Sequence, residues 1–156
     1  MKYMGSKNRI ASELLKIMLP HRKPGQAWVE PFVGGANMID KVDGWRIGAD
    51  VNSYLIDMWR GLQVNAIKPL DISFELYAAA RDAYKANSNA IFSDFMIGWV
   101  GWMASFNGRF FDGGYSGKTA TRNYVDEQIR NTLKSVKHIE DATFVCSDYK
   151  DLIIPP

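Results

Sequence analysis

The segment VEPFVGGAN, Val29–Asn37, decides the fold class of this 156-residue chain. A short run of strand-forming residues leads into Gly34-Gly35, where glycine permits the backbone angles of a tight bend. Working outward, Arg46–Val51 has the pattern of a second strand, and Thr143–Cys146 has that of a third. Because strands alternate with helical stretches at both ends of the chain, we predict a parallel α/β sheet.

Apolar residues at helical spacing predict six helical stretches. They cover residues 7–18, 36–41, 53–62, 73–85, 91–106 and 124–137. Ser6, Asn52 and Asn123 precede three of these stretches, and we expect their side-chain oxygens to cap the helices. Asn107–Tyr115 is rich in glycine and aromatic residues, has no helical period and interrupts the helical middle of the chain.

Composition excludes several classes of protein. With 47% hydrophobic and 23% charged residues, the chain is too apolar to be disordered. Its longest apolar runs, such as Phe95–Val100, are too short to span a bilayer, and its opening residues lack the apolar core of a secretory signal. The single cysteine, Cys146, excludes an intrachain disulfide and a multi-cysteine zinc site. We therefore expect a cytoplasmic protein with no membrane or metal partner.

The formal net charge of +2 conceals two basic zones. Residues 1–24 contain six Lys or Arg and a single Glu, and residues 109–137 contain six Lys or Arg and three acidic residues. The rest of the chain is therefore net acidic. This distribution suits a polyanionic partner such as nucleic acid, although ordinary solvated surface charge explains it equally well.

The carboxyl ends of the predicted strands form the candidate site, because parallel α/β sheets bind ligands there. Asp50 ends the second strand, where a carboxylate can accept hydrogen bonds from the two hydroxyls of a ribose. Gly34-Gly35 lacks the G-x-G-x-x-G spacing that seats a pyrophosphate in dinucleotide-dependent oxidoreductases. A nucleoside cofactor such as S-adenosylmethionine fits better. A plain tight turn explains the glycines alone, but not the neighbouring Glu30-Pro31 and Asp50.

The opening segment KYMGSKNRI, Lys2–Ile10, adds an aromatic face at Tyr3 and an ammonium group at Lys7. A positive charge is poorly placed at the start of a helix, so a carboxylate on the ligand would account for Lys7. A simple solvated lysine is the alternative.

Three segments, KYMGSKNRI, EPFVGGAN and GADVNSYLIDMW, in this order and spacing resemble the N-terminal half of Dam-type DNA N6-adenine methyltransferases, including phage enzymes. The resemblance implies a Rossmann-like class I methyltransferase sheet and S-adenosylmethionine as cofactor. It implies that Lys7 pairs with the methionine carboxylate, that Asp50 holds the ribose, and that Tyr149 packs on the adenine. The full set of residues implied to bind the cofactor is Tyr3, Lys7, Phe32, Gly34, Gly35, Asp50, Asp148 and Tyr149.

The same resemblance implies a region that recognises double-stranded DNA. Ser105–Tyr124 is similar to the family's β-hairpin that enters the major groove. Its basic side chains can contact phosphates or guanine, and its aromatic rings can stack on bases as the target adenine is extruded. One of Phe110 and Phe111 is expected to pack on the helices instead. The residues expected to contact DNA are Arg109, Phe111, Tyr115, Lys118 and Arg122.

The family order divides the chain into three parts. Residues 1–65 form a cofactor-binding part, residues 66–137 a helical insertion with the recognition region, and residues 138–156 a return to the methyltransferase domain. The family's catalytic D-P-P-Y tetrapeptide, which holds the adenine amino group, does not occur in the sequence. No catalytic residue is assigned, and we expect an incomplete sheet and no activity from this chain alone. A non-catalytic DNA-binding or interaction remnant is the alternative.

Overall fold

The computed structural model describes residues 1–155, and its sheet has three parallel strands. The strands are β1 (Trp28–Glu30), β2 (Arg46–Asp50) and β3 (Thr143–Cys146), in the spatial order β1-β2-β3. The register pairs Glu30 with Gly48 and Asp50 with Cys146. The prediction of a parallel α/β sheet is confirmed. Pro156, the last residue of the third predicted part, lies outside the described residues.

Five α-helices occur within residues 1–155: α1 (Ala11–Met18), α2 (Ser53–Gln63), α3 (Phe74–Lys85), α4 (Asp94–Ala104) and α5 (Tyr124–Val136). Asn52 accepts a hydrogen bond from the Leu55 N–H, and Asn123 accepts one from the Asp126 N–H, so both predicted caps are confirmed. In this part of the chain, every helix is too short or too polar to cross a membrane.

The first helix begins later than predicted, at Ala11. Ser6 does not cap it, because the Ser6 hydroxyl oxygen accepts hydrogen bonds from the Asn8 N–H and from Asn37 Nδ2. Ile10 occupies the cap position without a side-chain hydrogen bond. The prediction of a helix from residue 7 was wrong because the serine hydroxyl serves a contact with a distant loop.

No α-helix forms over residues 36–41, where only a 3₁₀ turn at Ile39–Lys41 is present. Ala36 has a φ of 54°, in the left-handed region, and such a residue interrupts a right-handed helix. Its N–H donates to the carbonyl of Val33, which closes a tight turn after β1. The prediction of this helix was wrong because the turn includes Ala36 as well as the two glycines.

Helix α4 lies at the centre of the molecule, and all its residues from Ile97 to Ala104 are buried. It packs closely on α2, since a Cβ atom at Gly98 would lie only 2.2 Å from the carbonyl oxygen of Tyr54. Trp59 and Trp99 are fully buried in the same cluster. The helical middle of the chain and the strand-bearing ends therefore share one hydrophobic core.

The region expected to be a β-hairpin, Ser105–Tyr124, forms a compact loop that we call the recognition segment. The described chain has two isolated antiparallel bridges here, Ser105 with Tyr115 and Lys118 with Asn123, in place of paired strands. Phe110 and Phe111 have φ angles of 30° and 62°, which are incompatible with an extended ladder. The Phe110 ring packs over α4, where a Cβ at Gly101 would lie 2.4 Å from it.

Candidate functional site

A cleft of about 670 Å³ opens at the carboxyl ends of β1 and β2. Its walls come from the segment before α1, the turn after β1 and the end of β2. A volume of this order suits a small-molecule ligand. Six of the residues predicted to bind a cofactor line this cleft: Tyr3, Lys7, Phe32, Gly34, Gly35 and Asp50.

The Gly34-Gly35 turn packs against the ring of Tyr3. A Cβ atom at Gly34, whose φ is 47°, would lie 2.8 Å from Cε1 of that ring. A Cβ atom at Gly35 would lie 2.6 Å from Asn37 Nδ2 and 2.8 Å from Tyr3 Cβ. The Trp59 indole also donates to the carbonyl of Gly34 at 3.0 Å. Glycine at these positions therefore makes room for the side chains of Tyr3 and Asn37.

Asp50 is held rigidly at the floor of the cleft. Its two carboxylate oxygens accept hydrogen bonds from the backbone N–H groups of Gly34, at 3.3 Å, and Asn52, at 3.1 Å. Its side chain is almost completely buried. A carboxylate has about four acceptor positions, so Asp50 retains capacity for hydroxyl donors from a ligand.

Glu30, which sequence analysis left without a role, also lines the cleft. Burial raises the pKa of Glu30 to about 7, and the hydrogen bond from Trp28 Nε1, 2.8 Å long, opposes this shift. The side chain forms no ion pair with any residue of the described range 1–155. Its place at the carboxyl end of β1, next to the end of β2 that carries Asp50, was the signal available in the sequence.

Lys7 is the basic side chain of the cleft lining. Its ammonium group donates to the carbonyl of Gly5 at 3.1 Å and has no carboxylate partner within residues 1–155. It lies one turn before α1, not at the first turn of the helix as predicted. An anionic group on a ligand would supply the partner that the protein does not.

Tyr3 forms the wall between the cleft and the helices. Its ring stacks on Trp102 of α4, with 6.3 Å between ring centroids. Burial raises the pKa of Tyr3, and the Asp50 carboxylate adds to the shift. The phenol is therefore neutral at physiological pH, and it faces the cleft as an aromatic surface with a hydroxyl group.

Two aromatic rings lie at the rim of the cleft. Phe32 and Tyr149 are 5.4 Å apart between centroids and are 71% and 52% exposed. Exposed paired aromatic rings form a ready surface for a flat heterocycle. Asp148 precedes Tyr149 but does not line the cleft, and its carboxylate accepts a hydrogen bond from the Lys150 N–H. Of the eight predicted cofactor residues, Asp148 and Tyr149 therefore do not line the cleft, and Tyr149 reaches its rim through the contact with Phe32.

The charged residues of the recognition segment are exposed. Arg109 faces solvent, and Lys118 Nζ lies 3.8 Å from a carboxylate oxygen of Asp71. Arg122 forms a bidentate ion pair with Glu127 through one edge of its guanidinium group, Nε at 2.9 Å and Nη2 at 2.6 Å. A phosphate that binds this edge of Arg122 must therefore compete with the ion pair.

Two predicted base contacts are packed into the protein. Phe111 is 8% exposed, and its backbone N–H donates to the Ser105 hydroxyl. Tyr115 donates its hydroxyl proton to the carbonyl of Ile72 at 2.6 Å. In this conformation neither ring is free to stack on a base. Phe106, 53% exposed, is the solvent-facing aromatic of the segment, and sequence analysis did not single it out.

The comparisons with known proteins define the family. Residues 3–154 match the model of the D12 class N6 adenine-specific DNA methyltransferases, a span that includes the cleft and the recognition segment. The chain belongs to this family. The resemblance to Dam-type adenine methyltransferases is thereby confirmed. A search of curated proteins gave no match. Within residues 1–155, no three His, Cys, Asp or Glu side chains of this methyltransferase are grouped closely enough to hold a metal ion.

Proposed function

We propose that this chain is the cofactor-binding and DNA-recognising part of a site-specific DNA adenine-N6 methyltransferase that uses S-adenosylmethionine. Membership of the D12 class supports the reaction and the DNA substrate. The observation that carries the cofactor assignment is the cleft at the carboxyl ends of β1 and β2. In this proposal the sheet is of the Rossmann-like class I type, formed by residues 1–65 and 138–156, with residues 66–137 inserted.

The side chains of the cleft fit the chemical groups of S-adenosylmethionine. The fixed carboxylate of Asp50 accepts hydrogen bonds from the ribose hydroxyls, and Lys7 pairs with the methionine carboxylate. Phe32 and Tyr149 pack against the adenine ring, with Asp148 beside them. When bound, the cofactor supplies a methyl group activated by a sulfonium centre.

We assign Glu30 to the positively charged part of the cofactor. A buried carboxyl group with a pKa of about 7 is only partly ionised at neutral pH. A cation placed beside it stabilises the carboxylate and lowers its pKa. Cofactor binding near neutral pH should therefore release a proton from Glu30.

The DNA-binding role rests on the basic residues of the recognition segment. Arg109 is available to contact phosphates, and Lys118 and Arg122 become available when their pairs with Asp71 and Glu127 open. Phe111 and Tyr115 support the shape of the segment from within the core, whereas the exposed ring of Phe106 faces the solvent where DNA would lie.

Asp50→Asn tests the cofactor assignment. Removing the carboxylate charge, and with it one of the acceptors for the ribose, should weaken S-adenosylmethionine binding about tenfold in calorimetry. Asp43→Asn is the matched control, because Asp43 is exposed and precedes the amino end of β2, whereas Asp50 lies at its carboxyl end. If the wild-type chain does not bind S-adenosylmethionine, or if both variants bind it as the wild type does, the assignment fails.

Methyl transfer needs a group that holds the adenine amino nitrogen, and the family's D-P-P-Y tetrapeptide is absent from the sequence. We therefore infer that the chain binds cofactor and DNA without completing the reaction by itself. The test is incubation of the purified chain with DNA and methyl-labelled S-adenosylmethionine. Label in adenine would overturn this inference, whereas DNA binding without cofactor binding would favour the non-catalytic remnant.

A further inference from the structure

Gln128 of α5 makes an unusual pair of hydrogen bonds to the main chain of Lys2. Its Oε1 accepts from the Lys2 N–H at 3.1 Å, and its Nε2 donates to the Lys2 carbonyl at 3.0 Å. The same Nε2 also donates to the carbonyl of Trp102 at 3.5 Å. Gln128 is only 5% exposed, so its carboxamide pairs with the Lys2 backbone inside the protein, much as a neighbouring strand would.

The residues held in this way form what we call the strap, residues 1–6. At both ends of the strap, Asn37 Nδ2 donates to the Met1 carbonyl at 2.9 Å and to the Ser6 hydroxyl at 2.7 Å. Asn37 is also buried. Two buried carboxamides, one from the turn after β1 and one from α5, therefore hold the strap at Met1, Lys2 and Ser6.

Tyr3, whose ring lines the cleft and packs on Gly34, follows directly after Lys2. A change in the position of the Lys2 peptide groups therefore moves the backbone of Tyr3, and with it this ring. Gly108 of the recognition segment backs onto the same carbonyl, since a Cβ there would lie 2.5 Å from the Lys2 oxygen. The peptide of Lys2 is thus enclosed by α5 on one side and by the recognition segment on another.

Helix α5 is also attached to the recognition segment at its own start. Asn123, which caps α5, pairs with Lys118 in one of the two antiparallel bridges. Gln128 lies little more than one turn farther along the helix. The recognition segment, α5 and the strap are therefore joined in sequence by hydrogen bonds.

We propose that Gln128 is a positioning residue that sets Tyr3 in the cofactor cleft and links it to the recognition segment. The proposal rests on the proposed function, because it takes Tyr3 to contact S-adenosylmethionine. Gln128 does not reach the cleft and acts through the main chain of Lys2. A link of this kind is reciprocal, so cofactor binding against Tyr3 stabilises the position of α5 that supports the recognition segment.

The variant that tests the proposal is Gln128→Met, which keeps a similar size and removes the hydrogen bonds. We expect the dissociation constant for S-adenosylmethionine to rise about tenfold, as the strap loses its fixed position. We also expect faster hydrogen exchange at the amides of Lys2 and Ser6, followed by NMR without cofactor. The Ser6 amide reports on the strap through its hydrogen bond to the Tyr3 carbonyl.

Thr132→Val is the matched control. Thr132 lies one turn farther along α5, is fully buried, and its hydroxyl has no hydrogen-bond partner within the described chain. This change should leave both the cofactor affinity and the exchange of the strap amides unchanged. If Gln128→Met and Thr132→Val weaken cofactor binding equally, Gln128 has only a general role in α5 packing and the proposal is wrong.

A second pair of variants keeps the proposal testable if Gln128→Met does not fold. Gly108→Ala and Gly114→Ala both place a side chain at a positive φ, 67° and 76°, but only the first meets the Lys2 carbonyl. Only Gly108→Ala should accelerate hydrogen exchange of the strap amides and weaken cofactor binding.

Unchanged exchange of the strap amides in Gln128→Met overturns the proposal. If Gln128→Met does not fold, unchanged exchange in Gly108→Ala overturns it. Failure of the wild type to bind S-adenosylmethionine overturns the proposed function, while the exchange data still judge the hold on the strap.

Discussion

Both the cleft and the recognition segment contain aromatic and charged side chains, but these side chains differ in exposure and in ion pairing. In the cleft, the rings of Phe32 and Tyr149 are exposed, and Glu30 has no ion-pair partner within residues 1–155. In the recognition segment, Phe111 is buried and Arg122 is paired with Glu127. Under the proposed function, the cleft is therefore organised before its ligand arrives, whereas the side chains of the recognition segment contact one another and must give up these contacts to bind DNA.

A continuous series of aromatic rings connects the two regions. The ring of Tyr3 stacks on Trp102, and Trp102 stacks on Phe110 with centroids 4.0 Å apart. Phe110 in turn contacts Phe111, 4.9 Å away, at the point where both residues have positive φ angles. Unfavourable backbone conformations persist only where the surroundings enforce them, and here the aromatic packing does so.

The largest effect should come from filling the turn of the cleft. Gly34→Ala places a methyl group against the Tyr3 ring and should weaken S-adenosylmethionine binding between about ten- and a hundredfold. Gly25→Ala is the control, because Gly25 also has a positive φ, 78°, but no atom lies within 4 Å of its added methyl group. Equal affinity of the two variants in calorimetry would mean that the position of Tyr3 does not matter to the cleft.

Glu30→Gln should change the stability of the protein and its affinity for the cofactor in opposite directions. The carboxyl group of Glu30 has a pKa near 7 in the folded protein, against 4.5 as its ordinary value, so the folded protein holds the proton more tightly. Its contribution to folding therefore becomes less favourable as the pH rises from about 4.5 to 7. At pH 8 the neutral glutamine should raise Tm by roughly 3 °C and weaken cofactor binding about tenfold. A lower Tm together with unchanged binding would remove Glu30 from the site.

Proton release on cofactor binding is a consequence of the same group. At pH 7, calorimetry of the wild type in buffers with different ionisation enthalpies should show release of a fraction of a proton, as the cofactor cation lowers the pKa of Glu30. The Glu30→Gln variant should show no such release. An identical buffer dependence in both proteins would assign the proton to another group.

The smallest effect is expected in the recognition segment. Glu127→Gln frees Arg122 from its ion pair and should tighten DNA binding about threefold at low salt, with a steeper salt dependence. Glu140→Gln removes the same charge from an exposed position outside the segment, between α5 and β3, and serves as the control. If both variants gain equally, the gain reflects the change in net charge and not the release of Arg122.

The strands, two of the helix caps and most of the cleft could be predicted because they depend on local sequence. Asn52 and Asn123 cap their helices whatever surrounds them, and Asp50 ends a strand that its own residues specify. Because the strands are parallel, their carboxyl ends lie at the same end of the sheet, and six of the predicted residues line one cleft there.

Two of the errors come from contacts between residues distant in sequence, whereas the helix predicted over residues 36–41 fails because of a local turn at Ala36. Ser6 does not cap α1 because Asn37 binds its hydroxyl group, and Phe111 is buried by rings from α3. The role proposed for Gln128 likewise depends on Lys2, which lies 126 residues away. Local pattern carries no information on such pairs, so the recognition segment was less predictable than the cleft.

The fit of Phe110 over Gly101 has a consequence for engineering. Because a side chain at Gly101 would overlap the Phe110 ring, the recognition segment and α4 must match each other when either is replaced. A graft of residues 105–122 from a relative with different sequence specificity should fold only if it contains an aromatic ring that packs on Gly101, or if α4 is replaced with it. Libraries built to test the proposed DNA contacts should therefore vary Arg109, Lys118 and Arg122 and keep the Phe110–Gly101 pair constant.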